Sequence, residues 1–219
     1  MKIVKDKALV LKTKRPELVT DKIKNCKKVG QEGELVELAV KWEYEEASAL
    51  AELGAKEVPS PMLRAFCFNE AGTGKTASVI WAVDYLMKLG LIKRVLVVCP
   101  LSIMKSAWQE DLFKFAMHRS CSVAHGPATT REKIINAGSE FVVINFDGVG
   151  VVKETILQAG FDLIVVDEAN AYKNSQTNRW KIMRDLCKKI DRLWMLTGTP
   201  AAQSPLDAYG LAKLVSPHR

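Results

Sequence analysis

The chain has 219 residues, of which 48% are hydrophobic and 26% charged, and its formal net charge is +7 at pH 7. This composition is typical of a globular protein and excludes disordered and collagen-like chains. No apolar run approaches the roughly 18–20 residues that span a bilayer, and charged residues interrupt the start of the chain, where a secretory signal has its apolar core. We therefore expect an intracellular, cytoplasmic protein without a membrane partner.

The first part of the chain differs from the rest in its charge. Residues 1–28 hold ten basic and three acidic residues, whereas residues 29–58 hold two basic and eight acidic residues. The predicted elements here are a strand over Ala8–Thr13, helices over Pro16–Lys24 and Glu43–Leu53, and a stiff linker at residues 58–61. We interpret residues 1–58 as a small α+β accessory region. Its basic start fits a DNA-binding segment and equally fits the solvated edge of a strand, so both interpretations stay open.

From residue 59 to residue 219, short β-branched runs alternate with helical patterns. Near-continuous apolar runs are typical of strands that are buried on both faces of a parallel sheet. The predicted strands are Arg64–Phe68, Val95–Cys99, Ser122–Ala124, Phe141–Asn145, Leu163–Asp167 and Leu193–Leu196, and the predicted helices are Lys75–Lys88, Ser106–Phe115, Thr130–Asn136, Lys153–Gln158, Thr177–Lys189 and Pro205–Leu214. This alternation predicts an α/β domain with a mostly parallel sheet flanked by helices, whose ligands bind at the carboxyl ends of the strands.

A glycine-rich loop separates the first of these strands from its helix. The loop reads Gly72-Thr73-Gly74-Lys75-Thr76. Glycines let backbone N–H groups approach a phosphate, and the helix N-terminus that follows adds a favourable dipole. We expect Lys75 to contact the β- and γ-phosphates of a nucleotide and the Thr76 hydroxyl to bind Mg²⁺. The longer phosphate-loop pattern carries another glycine where this chain has Asn69.

Two further strands end in polar groups that fit a nucleotide site. Asp167 and Glu168 follow the strand LIVV, and Thr197 and Thr199 flank a glycine after the strand LWML. The first carboxylate is suited to hold a metal ion, and the second is suited to orient an attacking water. The two hydroxyls suit a group that senses the phosphate site, although each motif alone also fits an ordinary turn.

Together the three motifs occur in the order of superfamily 2 helicases, and residues 64–217 resemble the first RecA-like lobe of Swi/Snf-like DNA-dependent ATPases. Five stretches carry the resemblance: residues 69–76 (motif I), 97–102 with Trp108 and Glu110 (motif Ia), 143–147 (the next strand-end motif), 167–175 (a DEAH-like box with the Lys-Asn pair that follows it) and 196–206 (motif III). The intact GTGKT and the short basic N-terminal region are similar to phage-encoded members of the family.

The resemblance implies a RecA-like P-loop lobe that binds ATP and Mg²⁺ at the strand ends, inside a bacterial or phage-infected cell. It also implies duplex DNA across the motif Ia face, with Ser102, Lys105 and Asn145 near the DNA phosphates, contacts that position a protein without reading sequence. For Ser102 the alternative is a helix N-cap, and for Lys105 a solvated surface charge. In the family, the position of Asn170 links the nucleotide site to motif III.

The sequence departs from the family pattern at three places. Asn170 stands where the DEAH box has histidine, and residues 61–64 leave no room for the helix that normally carries an adenine-reading glutamine. The chain also ends shortly after motif III, so we expect the second lobe, with its arginine fingers, to be absent from this chain, and a second-lobe polypeptide is one candidate partner. Because an arginine finger is worth roughly 10³–10⁵ in rate, the single lobe is expected to bind nucleotide and turn it over slowly.

The sequence therefore predicts the ATP-binding lobe of a DNA-dependent ATPase or translocase, in which Lys75, Asp167 and Glu168 act on the phosphates and water. The alternative is a truncated, non-catalytic module that binds nucleotide or DNA. A small-molecule P-loop kinase would carry a cluster of lid arginines and no LTGTP, and the motifs argue against it.

Overall fold

The computed structural model describes residues 9–11, 64–67, 74–198 and 205–216, with the backbone alone for residues 9–11 and 205–207. Within these ranges, seven parallel strands form one sheet with the order β1-β2-β7-β6-β3-β5-β4. The strands are β1 (Leu9–Leu11), β2 (Arg64–Cys67), β3 (Val95–Cys99), β4 (Cys121–Ala124), β5 (Phe141–Asn145), β6 (Leu163–Val166) and β7 (Arg192–Leu196). The parallel sheet predicted from the alternating pattern is confirmed.

Helices and helical turns connect the strands in the same described ranges. The α-helices are α1 (Lys75–Lys88), α2 (Glu110–Phe115), α3 (Ala128–Asn136), α4 (Phe146–Val151), α5 (Lys153–Gln158), α6 (Asn178–Leu186) and α7 (Pro205–Val215). A 3₁₀ turn (Leu101–Ile103) and a π-helix (Met104–Gln109) precede α2, and a second 3₁₀ turn (Ala169–Tyr172) follows β6. None of the helices in the described part of the chain has both the length and the apolarity that crossing a bilayer requires.

The sheet divides the core into two layers. Val95, Val97 and Cys99 of β3 pack on the side of α1 and α2, whereas Leu96 and Val98 pack on the side of α3, α5, α6 and α7. Successive side chains of a strand point to opposite faces of a sheet, so a strand with apolar residues at every position is buried from both sides. This packing explains why β3 and β5 coincide with the apolar runs of the sequence.

The sequence prediction differs from the structure at two helices. The helix predicted over Ser106–Phe115 is α-helical only from Glu110, because a π-helix occupies Met104–Gln109 and buries Met104 and Trp108. The sequence prediction also missed α4, whose two glycines lower the helix propensity of the segment. The other predicted elements that fall within the described residues agree with the structure to within three residues at each end.

The described part of residues 1–58 is the short strand β1, which lies within the predicted strand Ala8–Thr13 and pairs with β2 at the edge of the sheet. The predicted helices Pro16–Lys24 and Glu43–Leu53, the linker at residues 58–61 and the proposed accessory region as a unit lie outside the described residues. Outside them also lie Gly72, Thr73 and Thr199 of the predicted site.

The amino edge of the sheet is tied together by a buried arginine. Arg64 opens β2, and its guanidinium donates to the carbonyls of Asp191 at 3.2 Å, Leu214 at 2.8 Å and Cys187. Cys187 and Leu214 lie at the C-terminal ends of α6 and α7, where the helix carbonyls lack intrahelical partners and favour a cation. The polar residues of the predicted nucleotide site follow the strands at the opposite, carboxyl edge.

Candidate nucleotide-binding site

The described residues of the predicted nucleotide site lie at the carboxyl edge of the sheet because neighbouring parallel strands end there together. Cys67 at the end of β2 pairs with Leu196 of β7, and Val166 at the end of β6 pairs with Met195 of β7. The glycine-rich loop follows β2, Thr197 follows β7, and Asp167 and Glu168 follow β6. Strand β7 thus places Thr197 between the end of β2 and the end of β6, which the acidic pair follows.

The end of the phosphate loop leads directly into α1. Gly74 has φ +81°, a left-handed conformation that is strained for residues with a side chain, and it immediately precedes the helix at Lys75. Its carbonyl accepts hydrogen bonds from the Ser78 N–H at 3.1 Å and the Ser78 hydroxyl at 3.3 Å. The first turn of α1 carries no acidic residue. The positive end of the helix dipole is therefore available to an anion at Lys75 and Thr76.

Asp167 lies at the end of β6 with 7% of its surface exposed. Its Oδ2 accepts a hydrogen bond from the Trp108 indole N–H at 3.0 Å, and its Oδ1 accepts one from the Glu168 backbone N–H at 2.9 Å. Its own N–H donates to the Val98 carbonyl at 2.9 Å. The carboxylate is consequently fixed from both sides, while each oxygen keeps a second lone pair.

Burial, hydrogen bonds and nearby charges shift the pKa of Asp167 in opposite directions. Burial raises the pKa of the Asp167 carboxyl, and the negative charge of Glu168 raises it further. The hydrogen bonds from Trp108 and the Glu168 N–H and the positive charge of Lys75 lower it, with burial having the largest effect. The net result is a pKa above the ordinary value for an aspartate, because burial outweighs the groups that lower it.

Glu168 is exposed and has an unusual backbone conformation. Its φ is +52° and its ψ +55°, and it is the only residue other than glycine with a positive φ in the described ranges. The turn directs the chain into the 3₁₀ segment that holds Asn170. Two adjacent carboxylates are thereby separated into a buried one and a solvent-exposed one, as a metal-binding group and a water-orienting group require.

The predicted coupling residues occupy different environments. Thr197 is fully buried, and its N–H donates to the Cys67 carbonyl at 3.1 Å, which ties the end of β7 to the end of β2. Asn170 is half-buried, and its carbonyl accepts from the Lys173 N–H at 3.2 Å. Both residues therefore lie at the same edge as the acidic pair.

The donor set fits Mg²⁺. Magnesium prefers hard oxygen ligands and is commonly held by one or two carboxylates together with the phosphates of its substrate. Asp167 supplies a buried carboxylate and Thr76 a half-buried hydroxyl at the start of α1. Within the described residues, no three histidine, cysteine or acidic side chains cluster as a softer metal would require.

The residues that the resemblance places near DNA lie at the adjoining ends of β3 and β5. Ser102 is exposed inside the 3₁₀ turn that begins after Pro100, so the alternative interpretation of Ser102 as a helix N-cap is wrong. Lys105 is exposed in the π-helix. Asn145 ends β5, and its side-chain oxygen accepts from Arg131 at 2.9 Å, which fixes the orientation of the amide group.

Sequence reasoning missed the contact of Trp108 with Asp167. The sequence indicated that Trp108 belongs to motif Ia but not what its side chain touches. The indole is fully buried and 59 positions away from its partner in the chain. A tryptophan two residues before an acidic helix is compatible with plain core packing, so only the fold reveals the hydrogen bond.

The carboxyl edge also carries a cavity that the sequence analysis did not anticipate. It has a volume of about 480 Å³ and lies between α4 and α6, where it is lined by residues that include Phe146, Asp147, Thr177 and Arg179. The Arg179 guanidinium pairs with Asp147 at 2.6 Å and stacks over the Phe146 ring at 5.2 Å. None of the predicted site residues lines it.

A parallel sheet flanked by helices, with a P-loop lysine and a strand-end acidic pair at one edge, defines a RecA-like ATPase lobe. A family model described as "SNF2-related domain" matches residues 39–219. The chain therefore belongs to the SNF2-related family, and its fold is the first RecA-like lobe of a Swi/Snf-like superfamily 2 helicase.

Similar proteins include ATP-dependent helicases and remodelling factors. The uncharacterized ATP-dependent helicase YqhH of Bacillus subtilis strain 168 is 29% identical over 170 residues, which are 76% of this chain and 28% of that protein. A SWI/SNF-related matrix-associated actin-dependent regulator of chromatin, subfamily A-like protein 1 of Xenopus laevis, is 29% identical over 149 residues, or 68% of this chain and 15% of that protein. The chain thus spans less than a third of each of these relatives.

The solved structure of the Sulfolobus solfataricus SWI2/SNF2 ATPase core in complex with dsDNA superposes with a TM-score of 0.67 at 25% identity. It covers 81% of this chain, and this chain covers 35% of it. A second structure, of the same ATPase core domain, gives a TM-score of 0.62 at 27% identity.

Proposed function

We propose that this chain is the ATP-binding lobe of a DNA-dependent ATPase or translocase, and that it hydrolyses ATP when a second lobe completes the site. One observation carries the proposal: strands β2, β7 and β6 are neighbours and end at the same edge of the sheet, which puts Lys75, at the start of the helix that follows β2, at the same edge as the buried Asp167 carboxylate. A lysine at a helix start beside a strand-end acid is the arrangement that a Mg²⁺-nucleotide needs. Membership of the SNF2-related family supports it.

Each side chain has a distinct part in this proposal. Residues 72–76 cradle the phosphates, and Lys75 contacts the β- and γ-phosphates. Thr76 and Asp167 hold Mg²⁺, which when bound neutralises phosphate charge and polarises the transferring group. Glu168 orients the attacking water.

Three residues near the acidic pair are proposed to couple the nucleotide site to the rest of the protein. Asn170, Thr197 and Thr199 are proposed to sense the state of the phosphates. The buried position of Thr197 supports this role, because it follows the strand that pairs with both β2 and β6, and its N–H is bonded to the Cys67 carbonyl at the end of β2.

DNA is the proposed partner of the edge formed by the ends of β3 and β5. The Sulfolobus relative was solved with dsDNA, and Ser102 and Lys105 are exposed here. We propose that these residues and Asn145 contact the phosphates of duplex DNA. One lobe makes few such contacts, so binding is expected to be weak and steeply salt-dependent.

The working enzyme is proposed to act inside a bacterial or phage-infected cell, with residues 1–58 as an accessory region and residues 59–219 as the lobe.

Hydrolysis tests the proposal. The full chain is mixed with Mg-ATP with and without duplex DNA, and phosphate release is measured for the wild type, Glu168→Gln and a control, Glu154→Gln, which lies exposed on α5. We expect slow release that DNA increases, that Glu168→Gln abolishes and that Glu154→Gln leaves unchanged. Nucleotide binding without any release, even with DNA, would instead favour a non-catalytic nucleotide-binding module, the alternative that the substitution of histidine by Asn170 supports.

A further inference from the structure

The buried indole of Trp108 makes a specific polar contact at the proposed metal site. Trp108 has no exposed surface, and its Nε1–H donates to Asp167 Oδ2 at 3.0 Å. An indole N–H can donate one hydrogen bond and can neither accept one nor bind a cation through nitrogen. The indole therefore contacts the proposed metal ligand without competing with it for the metal.

The local backbone is built to bring this indole to the end of β6. Trp108 lies in the π-helix Met104–Gln109, and regular α-helix resumes only at Glu110. A π-helix inserts extra backbone into a turn and changes the direction of the side chains it carries, and such segments occur frequently at functional sites. A regular α-helix over the same residues would direct position 108 differently.

The two donors to Asp167 come from separate parts of the chain. The Trp108 indole approaches one carboxylate oxygen from the segment after β3, and the Glu168 N–H approaches the other from the turn after β6. The Asp167 N–H is meanwhile bound to the Val98 carbonyl at the end of β3. Rotation of the carboxylate about its side chain would break at least one of these hydrogen bonds, so its plane is fixed before any ligand arrives.

From this geometry we propose that Trp108 is a positioning residue for Mg²⁺: its indole N–H holds the Asp167 carboxylate in the orientation that binds the ion or its water. This inference rests on the proposed function, since it assumes a Mg²⁺-nucleotide at the carboxyl edge. Hydrogen-bond partners that orient a metal ligand commonly contribute about 10–100-fold to metal affinity. Trp108 acts through Asp167 and touches neither nucleotide nor metal.

The test separates the metal from the nucleotide. Trp108→Phe keeps an aromatic ring in the core and removes the N–H donor. Binding of a fluorescent ADP analogue, excited directly, is measured in EDTA and then as a function of Mg²⁺ concentration. We expect Trp108→Phe to bind the analogue in EDTA as the wild type does and to need roughly tenfold more Mg²⁺ for the metal-dependent gain in affinity.

A matched control is available in the same molecule. Trp180 is 7% exposed, and its indole N–H donates to the Gly210 carbonyl at 2.8 Å, in the contact between α6 and α7. Trp180→Phe also loses a buried indole hydrogen bond, and we expect it to keep the Mg²⁺ dependence of the wild type. Equal Mg²⁺ dependence of Trp108→Phe and wild type would overturn the inference while leaving the proposed function intact. Absence of analogue binding by the wild-type chain would instead contradict the proposed function itself.

A second measurement uses the wild-type protein and so does not depend on how the variants fold. The indole N–H signal of Trp108 is followed by ¹⁵N NMR and assigned by its loss in Trp108→Phe or, if that variant does not fold, by elimination with the other four tryptophans. We expect this signal to shift saturably when Mg²⁺ is added to the ADP complex, while the Trp180 signal stays in place. A Trp108 signal that does not respond to Mg²⁺ would contradict a role in holding the metal ligand.

Discussion

At the scale of single residues, the backbone at Glu168 leaves the Glu168 side chain exposed to solvent directly after the buried Asp167. The left-handed region costs a residue with a side chain roughly 1–2 kcal/mol relative to the right-handed one, yet Glu168 adopts φ +52° between the buried Asp167 and the 3₁₀ turn Ala169–Tyr172. Strained backbone of this kind concentrates at functional sites, where surrounding structure compensates for it. The position is therefore occupied by glutamate in spite of its conformational cost.

This conformation predicts different effects of two substitutions at Glu168. Glu168→Gly relieves the left-handed strain but gives the unfolded chain more freedom, and because these effects oppose each other, we expect the free energy of unfolding to change by less than about 1 kcal/mol. Glu168→Val places a β-branched side chain at the same φ, and we expect it to lower the free energy of unfolding by about 1–2 kcal/mol. Both variants should lose DNA-stimulated ATP hydrolysis.

Chemical denaturation of the two variants beside Glu168→Gln, which keeps both the shape and the strain, measures these stabilities. A glycine variant that is destabilised as much as the valine variant would show that the backbone at this position is not strained.

At the scale of elements, α1 is anchored at the end opposite to the phosphate loop. Asp84, 8% exposed, accepts hydrogen bonds from Lys88, His118 and Arg119, each at 2.7 Å. Arg119 also pairs with Glu140 at 2.7 Å, just before β5. Burial acts to raise the pKa of the Asp84 carboxyl, but the hydrogen bonds outweigh it and lower the pKa from 3.8 to about 2. The network joins the end of α1 to the segment between α2 and β4.

The lowered pKa predicts how stability depends on pH. A carboxyl whose pKa is lower in the folded state stabilises the fold above its unfolded pKa and loses that contribution as pH falls through its folded pKa. The contribution of Asp84 should therefore disappear between about pH 4 and pH 2. We expect Asp84→Asn to lower the free energy of unfolding by about 1–3 kcal/mol at pH 7, and this difference from the wild type should shrink over that range.

Urea denaturation across the acid range is the measurement, and Asp111→Asn is the control. In the described part of the chain, Asp111 forms an ion pair with the exposed Lys114 at 3.4 Å, so this variant should follow the wild type in parallel. A deficit of Asp84→Asn that stays constant down to pH 2 would show that the charge of Asp84 does not stabilise the fold.

The sequence predicted best the elements that are buried on both sides, because burial requires apolar residues along their length. Strands β3 and β5 have the predicted bounds because both faces of the sheet are covered and every position except the terminal Asn145 is apolar. Helix α4 was missed because its glycines lower the helix propensity of the segment. One of them, Gly148, is required by packing, because a Cβ there would overlap the Arg131 guanidinium. The same glycine therefore weakens the helix and lets Arg131 reach Asn145. Local propensity does not contain this contact.

At the scale of the whole molecule, the order of strands turns three separate motifs into one site. The sequence showed polar residues directly after the predicted strands. Because ligands bind at the carboxyl ends of parallel strands, it also predicted that these residues share one edge of the sheet. It did not predict that β7 separates β2 from β6, or that Trp108 reaches Asp167, because both depend on which strands pair and on the π-helix after β3. Non-local pairing is set by the packing of the complete core, which no single motif specifies.

The central claim is that the carboxyl edge binds Mg-nucleotide through Lys75. Isothermal titration of the full chain with ADP in the presence of Mg²⁺ tests it most directly, beside Lys75→Ala and a control, Lys93→Ala, whose exposed lysine precedes β3 at the amino edge. We predict saturable binding with one site per chain, unchanged in Lys93→Ala and lost in a folded Lys75→Ala. Absence of binding by the folded wild-type chain, or equal binding by Lys75→Ala, would contradict the account.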